Sequence, residues 1–194
     1  IEARVLSWLA QEKWRLDVFN THGKIYEASA SLMFGVPIEQ VTKGSDLRQR
    51  GKTAELALGY EGSVNAMEKM DKEKKLSKKE MYSIVALWRR ANPKIVEFWA
   101  EVETYGGKLV ENIVQAISRD LLAEAMYRLS ITKDFEIVMH VHDEAIAEVD
   151  EDRAGDCLET MCRVMGEDLP WLNCLPMGLP LKADGYVTKF YKKD

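Results

Sequence analysis

Over the first 130 or so residues, apolar positions recur at helical spacing; beyond them the pattern shortens to strand-like alternation. Ile1–Glu12 carries a mixed apolar face with Val5, Leu6, Trp8 and Leu9. Lys24–Phe34 reads as a helix stopped by Gly35-Val36-Pro37. Ser45 or Asp46 caps a helix reaching about Leu58, and Ser77 caps one reaching Arg90 after a charge-dense stretch, Glu68–Lys79. Asn92-Pro93 breaks that helix, and Pro93 starts the next, with Ile95, Phe98, Trp99 and Val102 on one face. Gly106-Gly107 is expected to interrupt before a long amphipathic helix, Val110–Leu129. Phe135–His142 and Ala145–Val149 then read as two strands around a hairpin tip at His142-Asp143-Glu144. Arg153–Met165 is expected as a helix, Pro170 to Pro180 as loop, and Leu181–Phe190 as a last short strand. A helical block followed by hairpin, helix and strand is an α+β pattern.

Composition adds little until charge is placed along the chain. Hydrophobic residues make up 46%, enough for a packed core. No apolar run reaches bilayer length, and the amphipathic opening has no basic leader, so no membrane partner and a cytoplasmic location are expected. Cys157, Cys162 and Cys174 lack metal-ligand spacing and read as reduced thiols. The net charge of −5 counts against nucleic acid as a partner. Asp134 to Asn173, however, holds 12 acidic and 2 basic residues, leaving the rest with 25 basic and 20 acidic. An acidic module thus follows a basic one, and such an acidic cluster is a solvated face, a metal site, or both. Lys69–Lys79 holds six lysines and reads as a solvated face that can also lie near nucleic-acid phosphates.

Two groupings carry candidate chemistry. Arg48, Lys52, Leu56 and Tyr60 fall four apart, a stripe about 18 Å long on a helix. Two cations, an apolar side chain and an aromatic follow the order of phosphates, sugar and base in a nucleoside triphosphate. Spacing alone favours the plainer alternative of a solvated surface helix with Leu56 and Tyr60 in the core. At the hairpin, Asp143 and Glu144 place two hard oxygen donors side by side, suited to Mg²⁺ with substrate phosphates, although a polar turn would read the same. His140 and His142 share a strand face, but no third ligand is spaced for zinc. Trp8, Trp88 and Trp99 are expected in the core.

Together these segments resemble the family A (polymerase I-type) DNA polymerases of phages. Arg48-x3-Lys52-x3-Leu56-x3-Tyr60 resembles motif B, and Val141-His142-Asp143-Glu144 before an apolar run resembles motif C. Ile1-Glu2-Ala3-Arg4 resembles the end of motif A, which reads Asp-x-Ser-x-Ile-Glu-x-Arg in the family. The stretches from Ala91 to Trp99 and from Gly178 to Tyr186 also resemble phage members. The resemblance implies a mostly helical fingers subdomain plus a small antiparallel β palm with a catalytic hairpin. It divides the chain into the end of palm motif A (1–12), fingers (13–105) and C-terminal palm (106–194).

It also implies roles. Arg48 and Lys52 would contact the triphosphate of a dNTP, Leu56 its sugar, and Tyr60 the insertion site. Glu2 would lie under the sugar as a steric gate. Tyr26 resembles a fingers position where relatives carry a phosphate-contacting histidine. Gln115 and Arg4 would contact DNA. Asp143 and Glu144 would hold Mg²⁺, with His142 near the primer terminus. The implied partners are a primer-template, a dNTP and the N-terminal part of the polymerase. Glu61 separates Tyr60 from Gly62 where many relatives have Tyr-Gly directly, and the motif A aspartate is not among these residues. These 194 residues alone are therefore expected to be inactive. The alternative is a non-catalytic nucleic-acid or nucleotide-binding product of a split or degenerate prophage gene.

Overall fold

A computed structural model describes residues 1–71, 75–102, 106–132 and 134–191. Lys72 and Lys74 of the expected lysine run lie outside them. Helices α1 (Glu2–Leu9), α2 (Lys13–Asn20), α3 (Ile25–Phe34), α4 (Asp46–Leu58), α5 (Val64–Met70), α6 (Lys78–Ala91) and α7 (Pro93–Glu101) form the helical block. The long α8 (Gly106–Thr132) leads to strands β1 (Glu136–Val141) and β2 (Glu144–Glu148), followed by α9 (Ala154–Gly166). The fold is α+β, mostly helical with one small antiparallel sheet. No described helix is long and apolar enough to cross a membrane.

Local chemistry explains most boundaries. The Ser45 hydroxyl accepts from the Arg48 N–H at 3.2 Å and starts α4. Ser77 and Glu80 form a reciprocal capping box at α6. Gly35 ends α3 in the left-handed conformation at φ 65°. Pro93 occupies the first turn of α7, where a missing N–H costs nothing.

Three expectations change. Gly106-Gly107 opens α8 rather than interrupting before it. A Cβ at Gly107 would lie 2.6 Å from the Tyr60 carbonyl oxygen, so this glycine serves a close helix approach. Leu181–Phe190 forms no strand; the only pairing among the described residues is β1 with β2. The segment instead lies against α9, where a Cβ on Gly185 would meet Leu158 Cδ1 at 2.7 Å. Finally, α2 and α5 are additional helices.

The core joins α1, α4, α6, α7 and α8 around Trp8, Trp88, Ile95, Trp99, Val110 and Val114. Trp88 and Trp99 stack with centroids 5.9 Å apart. Buried inside this apolar assembly is a polar knot. Arg15 donates to both Glu55 oxygens at 2.9 and 2.6 Å, to Asn92 Oδ1 at 3.1 Å and to Ser7 Oγ at 2.8 Å. Trp88 Nε1 donates to the same Glu55 carboxylate at 2.9 Å. The knot ties α1, α2, α4, α6 and the start of α7 together. It satisfies a charge that burial would otherwise make costly. Gly51 lets α3 and α4 cross closely, since a Cβ there would lie 2.4 Å from the Tyr26 carbonyl oxygen.

Candidate active site

The hairpin tip is a two-residue turn, His142-Asp143, between the paired residues Val141 and Glu144. His142 adopts φ 58°, the left-handed conformation that two-residue hairpin turns demand and that histidine tolerates better than β-branched residues. This geometry turns the Asp143 and Glu144 carboxylates out of the sheet, and both residues are exposed. Asp143 Oδ2 lies 3.8 Å from the Ile1 nitrogen. Beside it, Glu2 on α1 accepts a 2.9 Å hydrogen bond from the Tyr60 hydroxyl, just past α4. Segments far apart in the chain thus converge, with Asp143, Ile1-Glu2 and Tyr60 in contact sequence. Burial, and then the bond to Glu2, push the Tyr60 phenol far above its ordinary pKa.

Along α4, Leu56 is 51% exposed and Lys52 is half-buried with no ion pair among the described residues. Arg48 is engaged. It donates to Glu27 at 2.6 Å, and its guanidinium lies 5.5 Å from the centre of the Tyr26 ring. Burial, the largest single influence, raises the Glu27 carboxyl, but the bond from Arg48, its own backbone N–H and the charges of Arg48 and Lys24 together outweigh it and hold Glu27 below the usual range. An anion approaching this stripe meets Lys52 directly, whereas it must displace Glu27 to use Arg48.

Arg4 and Gln115 differ from each other. Arg4 turns inward, donating to the Pro180 carbonyl at 2.7 Å and covering the Phe19 ring at 4.6 Å. Gln115 is exposed on α8, and among the described residues its side chain has only a 3.4 Å contact to Glu111. Sequence reading passed over Tyr191, whose hydroxyl donates to Glu144 Oε2 at 3.2 Å across 47 residues. No local spacing signals such a contact. Glu61, notable in the sequence only for separating Tyr60 from Gly62, takes a left-handed φ of 59° and accepts the Gly107 N–H at 2.9 Å, capping the first turn of α8.

Two adjacent exposed carboxylates are the donor set that a hard divalent cation uses when water and phosphate complete its shell. They fit part of a Mg²⁺ site, because no three Asp, Glu, His or Cys side chains converge among the described residues.

No family model matches the sequence. The chain is 41% identical, over all of its length, to the DNA polymerase of Bacillus phage SP02. The chain belongs to the family A DNA polymerases. Its backbone matches the POL domain of Pol1 from M. smegmatis, described in complex with DNA primer-template and dNTP. That match has a TM-score of 0.75 at 21% identity and covers 93% of this chain and 36% of that one. The family A chain spans 40% of the phage relative's length. The alignment runs over 266 positions against 194 residues here, so about 72 positions of the relative inside the matched stretch have no counterpart in this polymerase sequence.

Proposed function

We propose that this chain provides the dNTP-selecting fingers, 13–105, and one carboxylate arm of the palm in a DNA-templated DNA polymerase. The observation that carries the reading is the convergence of Tyr60, Glu2, Ile1 and Asp143, which brings the ends of all three resembled motifs to one place. In the reaction, the primer 3′-hydroxyl oxygen forms a bond to the dNTP α-phosphorus. The bond from that phosphorus to the bridging oxygen breaks, and pyrophosphate leaves. The protein's contribution is positioning and charge stabilisation. Lys52 neutralises triphosphate oxygens, and Arg48 joins it by exchanging the Glu27 carboxylate for phosphate. Leu56 packs on the sugar. Glu2, fixed by Tyr60, occupies the space that a ribose 2′-hydroxyl would need. Asp143 and Glu144 would hold Mg²⁺, which when bound offsets charge on the phosphates.

Binding of a fluorescent N-methylanthraniloyl dATP to the purified chain tests the nucleotide half of this reading. Lys52→Ala should weaken it about tenfold or more, and Leu56→Ala about threefold. Equal binding by wild type and Lys52→Ala would remove the α4 stripe as the dNTP site.

A second reading, non-catalytic nucleotide or nucleic-acid binding, draws on the two-carboxylate tip and the roughly 72 positions without counterpart. Under either reading, residues 1–194 alone give no primer extension with Mg²⁺ or Mn²⁺, because the motif A aspartate is not among them. Template-dependent extension abolished by Asp143→Ala would overturn that outcome and leave the catalytic reading standing.

A further inference from the structure

The segment after Gly185 leaves α9 and reaches the carboxylate tip. Lys189 Nζ lies 3.6 Å from Glu151, Thr188 Oγ1 donates to the Phe190 carbonyl at 3.0 Å, and Tyr191 donates to Glu144. Tyr191 is thereby held at Glu144, with Phe190 next to it in the chain, and both aromatics remain open to solvent. Phe190 is 77% exposed and Tyr191 44%. Exposed apolar surface beside a candidate site calls for an occupant. The surroundings restrict what that occupant is. Asp143 and Glu144 make the tip acidic, so phosphate is a poor source of affinity here. A nucleobase has an uncharged face and stacks on aromatic rings whatever its sequence.

We propose that Phe190 and Tyr191 form a stacking platform for the terminal base of the primer strand, with the Tyr191–Glu144 bond setting its distance from the carboxylates. The proposal rests on the polymerase reading of the tip and names the part of the DNA that the tip receives. Tyr191 acts with its ring on the base and with its hydroxyl on Glu144. The two contributions are separable, because Tyr191→Phe keeps the ring and removes the bond.

The test uses the purified chain and a DNA hairpin with a recessed 3′ end whose last base is 2-aminopurine. Stacking quenches this base. Wild type should bind and quench. Phe190→Ala and Tyr191→Ala should each weaken binding about tenfold and remove most of the quench. Tyr191→Phe should retain the quench. Phe190→Leu, which keeps apolar area without a ring, should lose it. The slope of log affinity against log salt should be unchanged in all four, because no phosphate contact is removed. Both rings are solvent-exposed, so melting curves should match wild type. DNA binding by wild type with affinity and quench unaltered in the Phe190→Ala/Tyr191→Ala double variant overturns this inference alone. No binding by wild type overturns it together with the polymerase reading.

Discussion

Removing Glu55 is the severest single test of how this fold holds α4 in place. Its carboxylate and the Arg15 guanidinium are 3% and 1% exposed, so Glu55→Ala strands a buried cation and also deprives Trp88 Nε1 of its acceptor. Removing one member of a buried ion pair costs about 3–5 kcal/mol, because the remaining charge stays desolvated. In a chain of this size each kcal/mol lowers Tm by about 2–4 °C, so a fall of about 10 °C is expected. Replacing both members by apolar residues, Arg15→Met with Glu55→Leu, should recover most of the loss, since no buried charge is left. Urea unfolding followed by tryptophan fluorescence, arranged as a double-mutant cycle, measures this. A coupling energy below about 0.5 kcal/mol, or single variants within about 1 kcal/mol of wild type, would refute the reasoning.

Gly51→Ala should destabilise by about 1–3 kcal/mol through overpacking, because its new methyl group meets the Tyr26 carbonyl oxygen at 2.4 Å; thermal melts check it. Glu80 is held down to about 2 by the Ser77 hydroxyl first, then by the Ser77 N–H and Arg50. A depressed carboxyl stabilises above its unfolded pKa and loses that contribution as pH falls from about 4.5 toward 2. Glu80→Gln should therefore flatten stability against pH in that window, read from melts at stepped pH. Tyr60, with its phenol pushed far up, should stay protonated at pH values where exposed tyrosines ionise. Absorbance titration near 295 nm should show a late phase absent from Tyr60→Phe. Ser77→Ala should cost about 1 kcal/mol by opening the capping box, measured by urea unfolding.

How much was legible in the sequence follows from where each signal resides. Ser45, Ser77, Gly35 and Pro93 act on their own backbone neighbourhood, and their elements lie where local chemistry puts them. The hairpin tip was equally readable, since two strand-like runs flank it. Helix α2 was hidden because Arg15, one of its most buried side chains, is charged and reads as a surface residue. Gly107 looked like a breaker because its purpose is contact with Tyr60, 47 residues away. The Arg48–Glu27 pair, the inward turn of Arg4 and the Tyr191–Glu144 bond likewise depend on chain segments meeting in space. The expected last strand had strand-like residues but has no partner strand among the described residues, and a strand cannot exist without one.

Helix α8 joins the end of α4 to the hairpin as one continuous rod. Its first turn is pinned to the end of α4 by Glu61 and by the bare backbone of Gly107, and its last turn feeds β1 and the carboxylates. Its 27 residues make a rod about 40 Å long, so a tilt of about 5° at the pinned end would move the far end by about 3.5 Å. That is roughly the whole distance between a reacting hydroxyl and its phosphorus. Bulk added at residue 107 would therefore act through leverage on carboxylates it never touches.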